Sequence, residues 1–486
     1  MGCGDDSSSS SSEKEVATSK GDCVFAASPF GAGDGTPGDP YQVCTVAHFN
    51  EVGNYSDKYF LQVDNLNFIE ESGHTPIGDF FGEYDGNDKA ISNITVNETG
   101  LAAVFVQLTG TLKDITFSDI SITGGSIGVA GVVGYNHGVI DGLTVSGNLT
   151  VASSDVEMPM GGVVLYNFGA MSDVTFDGRI ISGMEPLDEV TETTTPDSYM
   201  GGLVAKNING ATISSSYASV ILEGRKYMGG CVGSNEGSVS NIECDSIMSF
   251  TNFSYYIGGV MGFNSGTALL VTANTTMHNP YKYTGGIAGI SSGTIEKAVA
   301  SGGIYSFGWS GTGGLLGRNS VGATLSLSKS NVTLFTDTLP SPSSVGGLVG
   351  INYATIENSY SYGKIEVNDD VGDTGGIVGL NGGTGEITNT YSNSEMIGGA
   401  DNNFNNGGVG DNDGTITASF FNSAKTEKDD DEDNDALSAE ELMVQANFCV
   451  MNEEIPPACI AGTEWDFEDV WSIVDGQMPT LAWENE

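Results

Sequence analysis

The chain has 486 residues and a formal net charge of −47, from 63 acidic side chains against 16 lysines and arginines. Such a charge repels the phosphates of nucleic acids and the head groups of anionic lipids. No nucleic-acid partner is therefore expected, and membrane contact is expected only through an attached lipid. No apolar run of about 18 residues occurs, so no transmembrane helix is predicted.

Residues 1–20 form a Ser-rich, acidic tether with a single cysteine, Cys3. This start resembles that of a mature bacterial lipoprotein, in which Cys3 would carry the lipid and Met1 would stand where a signal peptide has been removed. One alternative is eukaryotic acylation on Gly2 and Cys3, although Asp6 occupies the position where that motif has Ser or Thr. The other alternative is that Cys3 occurs there by chance and carries no lipid. The lipoprotein interpretation predicts an extracellular, lipid-anchored protein of the bacterial cell surface or outer membrane.

Residues 21–81 are predicted to form an amino-terminal cap for the repeats that follow. They contain the pair Cys23 and Cys44, a Gly/Pro-rich loop, and an alternating strand pattern over 59–67. An uncovered end of a repeat array exposes sheet edges and invites aggregation, which is why such arrays carry atypical terminal units.

Residues 82–423 contain a repeat built on a Gly-Gly pair, clearest over 345–367 as VGGLVGINYATIENSYSYGKIEV. A period of about 20–50 residues indicates stacked structural repeats. Two or three apolar residues cannot bury a face alone, but stacked copies bury a continuous core. The sequence therefore predicts an all-β fold, a parallel β-helix or β-solenoid of about twelve turns. The second glycines of the pairs are Gly131, Gly162, Gly202, Gly230, Gly259, Gly286, Gly314, Gly347, Gly376 and Gly408.

An asparagine follows most of these glycines at a fixed distance. In stacked turns such amides would line up and hydrogen-bond to one another and to the turn backbone. This pattern favours an internal structural ladder, with an Asn-lined ligand groove as the alternative. Ser291 replaces asparagine in one copy. The predicted ladder consists of Asn136, Asn167, Asn207, Asn235, Asn264, Asn319, Asn352, Asn381 and Asn412.

The repeat pattern GGLVGxNxGxIxNSYxxGxV resembles the GLUG repeat of bacterial surface and adhesin-like proteins, which is also found beside some IgA-specific peptidases. The resemblance runs from about residue 131 to residue 423, with Leu165 and Ala205 in place of the third glycine. It implies a cell-surface solenoid. It implies no activity, because a repeat scaffold does not fix function.

Insertions gather at one corner of the repeat, just before the Gly-Gly pair, as over 184–198 and 335–344. Loops on one edge of a solenoid often bind partners, although this corner could simply tolerate insertion. Aromatic residues near the same corner are candidate ligand-facing groups that could stack on a sugar ring, with local packing as the alternative. These aromatic residues are Tyr255, Tyr256, Tyr281, Tyr283 and Trp309.

Residues 424–446 interrupt the repeat with a strongly acidic segment. Its Asp429, Asp431, Asp433 and Glu440 fit positions 1, 3, 5 and 12 of an EF-hand-like loop, which predicts calcium as the only cofactor. A solvated acidic linker is the alternative, since runs of like charge are commonly extended.

Residues 447–486 are predicted to form an aromatic-rich carboxy-terminal cap. Six cysteines fall into three close pairs, which favours local disulfides and an oxidising compartment, although six cysteines allow 15 connectivities. The pairs are Cys23 with Cys44, Cys231 with Cys244, and Cys449 with Cys459.

No catalytic residue is predicted, because the chain has no GxSxG, P-loop or HExxH motif and its basic residues do not recur on one face. The favoured function is a non-catalytic adhesion or binding solenoid that contacts a glycan, a protein or a cell surface through loops on one edge. The alternatives are a self-assembling component of a filament or matrix, and a carbohydrate-active enzyme on a β-helix.

Overall fold

The computed structural model of the protein describes residues 19–20, 23–24, 29–124, 126–151, 158–182, 198–250, 254–307, 309–337, 343–368, 371–398, 405–426, 435–450 and 459–485. Within these residues the chain folds into a β-solenoid whose successive turns pair in parallel along three sheets. One sheet has 12 strands and another has 11, so the coil makes about eleven turns, close to the predicted number.

The first sheet, here the asparagine sheet, collects the short strand that follows each Gly-Gly pair. Its strands are Ile77–Phe80, Phe105–Leu108, Val133–Asn136, Val164–Asn167, Val204–Asn207, Val232–Asn235, Met261–Asn264, Ala288–Ser291, Leu316–Asn319, Val349–Asn352, Val378–Asn381 and Val409–Asn412.

The second sheet, the glycine sheet, collects the strands that end at or just before the first position of the Gly-Gly pair. Its strands are Leu101–Ala102, Gly128–Ala130, Met160–Gly161, Met200–Gly201, Lys226–Gly229, Tyr255–Gly258, Lys282–Gly285, Trp309–Gly313, Ser343–Gly346, Thr374–Gly375 and Asn405–Asn406.

The third sheet, the long sheet, forms the widest side of the coil. Its strands are Tyr41–Val43, Tyr59–Gln62, Leu66–Asn67, Glu83–Ser92, Thr95–Asn97, Thr111–Gly124, Val139–Val151, Ala170–Ile181, Thr212–Glu223, Ser238–Ser249, Thr267–His278, Thr294–Ser306, Thr324–Ser326, Lys329–Thr336, Thr355–Glu357, Tyr360–Ser361, Lys364–Val367, Glu386–Thr388, Tyr391–Ser392, Glu395–Ile397, Thr415–Thr417, Phe420–Asn422 and Asp435–Leu437.

The second glycine of each pair makes the corner between the glycine sheet and the asparagine sheet. A Cβ atom on Gly162 would overlap the carbonyl oxygen of Gly202 in the next turn, and Gly347 meets Gly376 in the same way. Any side chain here would push the turns apart, so the corner requires glycine for close backbone approach.

The long sheet bends where one residue per turn adopts left-handed backbone geometry. Asp173 has φ 52°, Asn241 has φ 51° and Asn358 has φ 46°. Asp and Asn tolerate this conformation better than other non-glycine residues, which explains the Asn of the NSY segment of the repeat. Inside the bend, Val, Ile, Leu, Met and Phe side chains from all three sheets form one continuous core.

A short helix covers the amino-terminal end of the coil. The α-helix Val46–Glu51 is capped by Thr45 and continues into the 3₁₀ turn Val52–Tyr55. Its Phe49 is fully buried against Phe68 and Tyr84, so an aromatic side chain closes the first turns. An antiparallel bridge between Ser19–Lys20 and Cys23–Val24 precedes it.

The carboxy-terminal segment lies along the side of the coil instead of only over its end. Residues 441–450 and 459–485, here the terminal clamp, pack on outward-facing residues of the long sheet in successive turns. The indole N–H of Trp483 donates to Leu327 O at 3.0 Å, and that of Trp465 donates to Ala418 O at 3.0 Å. The clamp contains the 3₁₀ turns Glu441–Met443, Gln445–Asn447 and Ala482–Asn485 and the antiparallel pair Trp471–Ser472 with Thr480–Leu481; a further 3₁₀ turn, Ser423–Lys425, precedes it.

Disulfides join the three predicted cysteine pairs. Cys231–Cys244 lies inside the coil, where both residues are fully buried, and links the corner before the asparagine sheet to the long sheet. Cys23–Cys44 ties the amino-terminal cap, and Cys449–Cys459 lies within the terminal clamp.

Candidate binding face

The asparagines form a hydrogen-bonded column inside the coil. Asn136 Nδ2 donates to Asn167 Oδ1 at 2.7 Å, and each amide repeats this bond to the next turn at 2.7–2.9 Å as far as Asn264. The column resumes from Asn319 to Asn412. All these amides except Asn412 are fully buried, so they cannot line a solvent-facing groove.

The column is interrupted at Ser291. This shorter side chain accepts from Asn264 at 3.2 Å and donates to Gly293 O at 3.4 Å. Among the described residues Asn319 Oδ1 has no hydrogen-bond donor, which leaves a buried acceptor unsatisfied. Such a group costs about 1–3 kcal/mol of stability.

Four tyrosines stack along the outside of the corner between the glycine and asparagine sheets. The ring centroids of Tyr227 and Tyr256 lie 4.7 Å apart with planes 17° apart. Those of Tyr256 and Tyr283 lie 5.8 Å apart with planes 6° apart, and Tyr199 lies 5.1 Å from Tyr227 at the other end. Each stacked ring therefore faces the next ring, which leaves ring edges and hydroxyls for contacts with a ligand.

The third glycine of the repeat makes room for these tyrosines. Tyr227, Tyr256 and Tyr283 have left-handed φ values of 47°, 62° and 53°, which is unusual for bulky residues. A Cβ on Gly262 or Gly289 would collide with the backbone at Tyr227 or Tyr256 of the preceding turn.

Where a large residue replaces the third glycine, the facing residue of the preceding turn is small. Leu165 takes that place in one turn, and the facing residue of the preceding turn is Gly128, whose Cβ would touch the leucine. The departure from the repeat at Leu165 is thus matched by a smaller residue in the preceding turn.

Basic side chains lie over the tyrosine rings. The Nζ atoms of Lys206, Lys226 and Lys282 lie 5.0, 5.1 and 5.1 Å from the ring centroids of Tyr199, Tyr227 and Tyr283 respectively. The Arg318 guanidinium lies between Tyr283 and Tyr353, 5.8 and 5.1 Å from their centroids. Four of the 16 basic residues of the chain thus gather on one face.

The same face extends to Tyr135 and Tyr166, which stack at 5.6 Å with planes 11° apart. Burial raises the pKa of Tyr166, with a contribution from Tyr135, and burial raises that of Tyr281. These phenols therefore stay protonated at neutral pH and can donate hydrogen bonds. The binding face is defined here as Tyr135, Tyr166, Tyr199, Tyr227, Tyr256 and Tyr283 with Lys206, Lys226, Lys282 and Arg318.

Two of the five predicted aromatic residues, Tyr256 and Tyr283, belong to this face, and Tyr255 and Tyr281 pack beside it. Tyr255 and Tyr256 are buried, whereas Tyr281 and Tyr283 are half-buried. The backbone of Trp309 lies in a strand of the glycine sheet, and its side chain lies outside the described part of the structure. The closed stacking of the rings favours packing over an open platform for a sugar ring.

The sequence reasoning missed Tyr199, Tyr227 and the cations over them. The signal was present: each of these tyrosines stands three residues before the second glycine, and Lys206 and Arg318 stand four residues after it. The two positions meet within one turn, as for Lys206 and Tyr199, or across neighbouring turns, as for Arg318 and Tyr283, which sequence spacing alone does not reveal.

The predicted calcium loop falls mostly outside the described residues. Asp429, Asp431 and Asp433 lie in the segment 427–434, and Cys3 lies in the segment 1–18, neither of which is described. Glu440 is exposed and directly precedes a 3₁₀ turn. Within the described ranges no group of three His, Cys, Asp or Glu side chains is placed to hold a metal ion.

At the carboxy-terminal end of the same side the charge changes sign. Burial, and secondarily the neighbouring Asp411, raises the pKa of Asp373, which accepts a hydrogen bond from Ser344 Oγ at 3.3 Å. The last strand of the asparagine sheet, Val409–Asn412, carries Asp411, and Asp413 follows it; both side chains are exposed.

These features define a Gly-rich parallel β-solenoid with an internal asparagine ladder. The family described as "The GLUG motif" matches residues 341–366, which correspond to about one turn. The chain therefore carries a GLUG motif within a β-solenoid.

Two relatives match short stretches of the chain. "Halomucin" of Haloquadratum walsbyi is 29% identical over 145 residues, 27% of this chain and 2% of that protein. A "Putative Gly-rich membrane protein" of Evansella cellulosilytica is 31% identical over 136 residues, 24% of this chain and 16% of that protein. The chain thus spans only a small part of the length of either relative.

Two solved structures align with the chain at low similarity. A "putative immunoglobulin A1 protease from Bacteroides ovatus" aligns over 93% of this chain and 94% of its own, with a TM-score of 0.30 and 14% identity. An "IgA1 Protease" aligns over 81% of this chain and 24% of its own, with a TM-score of 0.31 and 13% identity.

Among the helices that the structure describes, none is long and apolar enough to cross a bilayer.

Proposed function

We propose that the protein is a non-catalytic binding solenoid of the bacterial cell surface, which contacts a glycan, a protein or another cell through the binding face and the insertions at the adjoining corner. The observation that carries this proposal is the concentration of four basic side chains and six tyrosines on one face of a chain with a net charge of −47. Of the four, Lys226 is buried and Lys206 pairs with Glu236 at 2.6 Å, which leaves Lys282 and Arg318 as the main groups for a ligand. Aromatic and Arg side chains are enriched where proteins bind partners.

The same proposal includes anchoring by a lipid on Cys3, which would leave the solenoid projecting from the membrane on the Ser-rich tether. The naming of the Evansella relative as a membrane protein fits a surface location. Calcium bound by Asp429, Asp431, Asp433 and Glu440 is the proposed cofactor, because oxygen ligands at this spacing suit that ion.

A binding panel tests the function. The purified chain is immobilised and exposed to glycans and whole cells, with calcium and with EDTA. Captured ligands are then tested against Lys282→Ala/Arg318→Ala. We expect this double variant to weaken capture about tenfold or more, equivalent to about 1.4 kcal/mol. The matched control is Lys58→Ala/Lys89→Ala, which removes the same charge away from the binding face and should leave capture unchanged.

Calcium dependence separates the two interpretations of the acidic loop. Capture that is lost in EDTA and in Asp431→Asn supports a calcium site, whereas capture unchanged by both supports a solvated linker. Failure of the folded protein to capture any ligand in either condition would contradict the proposed function.

A self-assembling component is the second candidate, because within the described residues no further strand pairs with Val409–Asn412. Electron microscopy and sedimentation of the purified chain would show filaments if this candidate is right. The exposed Asp411 and Asp413 weigh against it, since charges on an edge strand oppose pairing with another chain.

A further inference from the structure

The long sheet carries a shallow trough of about 560 Å³ on the side of the coil away from the binding face. Its two walls are columns of side chains that run across four successive turns in strict register. One column is polar and consists of Asp177, Ser219, Asp245 and Asn274; the other consists of Arg179, Ile221, Ile247 and Thr276.

The floor of the trough is backbone. Between the two columns the side chains of Val220 and Ser246 turn inward, with 4% and 5% of their surface exposed, and Gly178 has no side chain. An elongated ligand could therefore lie along the tops of the two columns, parallel to the axis of the coil.

The polar wall is built to accept hydrogen bonds. Tyr217 donates its hydroxyl to Asp245 Oδ2 at 2.7 Å, which fixes that carboxylate on the wall. The amide of Asn274 adds an acceptor one strand from Asp245, about 4.8 Å away, and Asp177 adds one two strands away on the other side of Ser219. Acceptors in this density suit a ligand rich in hydroxyl groups, and two carboxylates repel an anionic one.

The opposite wall is partly apolar. Ile247 exposes 49% of its surface, and Ile221 beside it is half-buried. The C–H face of a pyranose ring is apolar and its hydroxyls lie at the ring edge, so a sugar can rest on the isoleucines while its hydroxyls face the carboxylates. Arg179 closes one end of the wall by pairing with Glu223 at 3.2 Å.

We infer that this trough binds a neutral, extended β-1,4-linked hexose chain along the coil axis. The inference is independent of the binding face, which presents cations and lies on other sheets. The length of a residue in such an extended chain is close to the strand spacing, so successive sugars meet successive turns. The cavity volume falls within the range of about 300–1,000 Å³ that is usual for ligand sites.

Isothermal titration of the full chain with cellohexaose and mannohexaose tests the inference. The test variants are Asn274→Ala on the polar wall and Ile247→Ala on the apolar wall. We expect each to weaken binding about tenfold. Matched controls on the same sheet face are the exposed Asn97→Ala, three turns before the trough, and the 42% exposed Ile397→Ala; both lie outside its two columns and should bind as the unaltered chain does.

A thermal melt of every variant establishes that it is folded before it is titrated. The inference is overturned if neither neutral hexamer binds the folded chain, if the wall variants bind as tightly as the controls, or if hexagalacturonate binds more tightly than the neutral hexamers. Because Lys282→Ala/Arg318→Ala does not touch the trough, it should leave hexose binding unchanged, which distinguishes failure here from failure of the binding face.

Discussion

The two halves of the coil cross the long sheet differently. In the amino-terminal half, after two divided first turns, each turn from Thr111–Gly124 to Thr294–Ser306 crosses on one continuous strand of 12–14 residues. In the carboxy-terminal half each turn is divided, as in Thr355–Glu357, Tyr360–Ser361 and Lys364–Val367.

A serine hydroxyl takes part in the bend of the divided turns, as Ser216 also does within the continuous strand Thr212–Glu223. Ser359 Oγ donates to Glu357 O at 2.8 Å and accepts from Ser328 N at 3.1 Å. At the bend, a side-chain hydroxyl therefore accepts the hydrogen bond between turns in place of a backbone carbonyl. Ser328 does the same with Ser326 O and Ala298 N. Ser and Thr side chains compete with ladders in this way.

The terminal clamp covers the divided half. Tyr360 and Tyr391 stack with ring centroids 5.1 Å apart and form, with Phe420, the platform on which Trp465 and Trp471 pack. The hydroxyl of Tyr360 donates to Glu484, which also pairs with Lys329. The amino-terminal half of the coil is stabilised by regular backbone pairing between turns. In the carboxy-terminal half, apolar side chains buried under the terminal clamp add to this pairing.

The largest expected effect comes from Trp471→Ala, which removes a side chain only 1% exposed from the clamp. We expect a loss of about 3–5 kcal/mol, confined to the divided half. Urea unfolding followed by fluorescence should then show an early transition for that half. The control Val474→Ala, at a site 58% exposed, should cost little. A single unchanged transition would show that the clamp does not support the coil.

A pair of ladder variants compares the halves directly. Asn167→Leu and Asn352→Leu each leave a buried donor and a buried acceptor of neighbouring turns without partners, at a cost of about 2–4 kcal/mol. Both amides bond to the amides on either side and accept from the backbone N–H two residues further on, so the two losses in urea unfolding should agree within about 0.5 kcal/mol. A much larger loss of stability for one variant would show that the two halves differ in their interior ladder as well as in their outer sheet.

Ser291→Asn should stabilise the protein at the junction of the halves. The new amide would donate to the buried Asn319 Oδ1, which has no donor among the described residues. We expect a gain of about 1 kcal/mol, measured as a higher thermal midpoint. The exposed Ser292→Asn is the matched control. A destabilised Ser291→Asn would mean that the turn at Ser291 has no room for the longer side chain.

The smallest effect concerns pH. The pKa of Asp373 is raised by burial and by Asp411, so the folded state binds its proton more tightly than the unfolded state does. The stabilising contribution of this group is therefore full below the unfolded pKa and is lost as pH rises through the folded pKa. Asp373→Asn should remove that pH dependence and be relatively more stable at neutral pH, as measured by unfolding between pH 4 and pH 7. An unaltered profile would contradict this account.

Much of the architecture followed from the sequence because the repeat places the same residue types at the same corners. The Gly-Gly pairs predicted the parallel β-solenoid, and the cysteine spacing indicated the pairs that the disulfides join. Contacts between turns were harder to predict. The stack from Tyr199 to Tyr283 depends on which position of one turn faces which position of the next, and insertions such as 183–197 change that spacing along the chain.

The position of the terminal clamp is a second feature that the sequence did not predict. Its aromatic residues predicted a cap, but their docking partners, Tyr360 and Tyr391, belong to repeats whose sequence resembles that of repeats on which the terminal clamp does not pack. Tyr217 occupies the equivalent position in an earlier turn and bonds to Asp245 instead. These turns differ in whether the terminal clamp packs on them, and that depends on where the clamp lies in the folded protein.

The asparagine ladder also has a polarity. Every amide donates toward the carboxy-terminal end, from Asn136 to Asn264 and again from Asn319 to Asn412. Aligned amide dipoles add, so the interior column carries a partial positive charge at its carboxy-terminal end, the reverse of the order in an α-helix. Three acidic residues lie at that end: Asp411, Asp413 and the half-buried Asp373. Their negative charges are attracted to the positive end of the column.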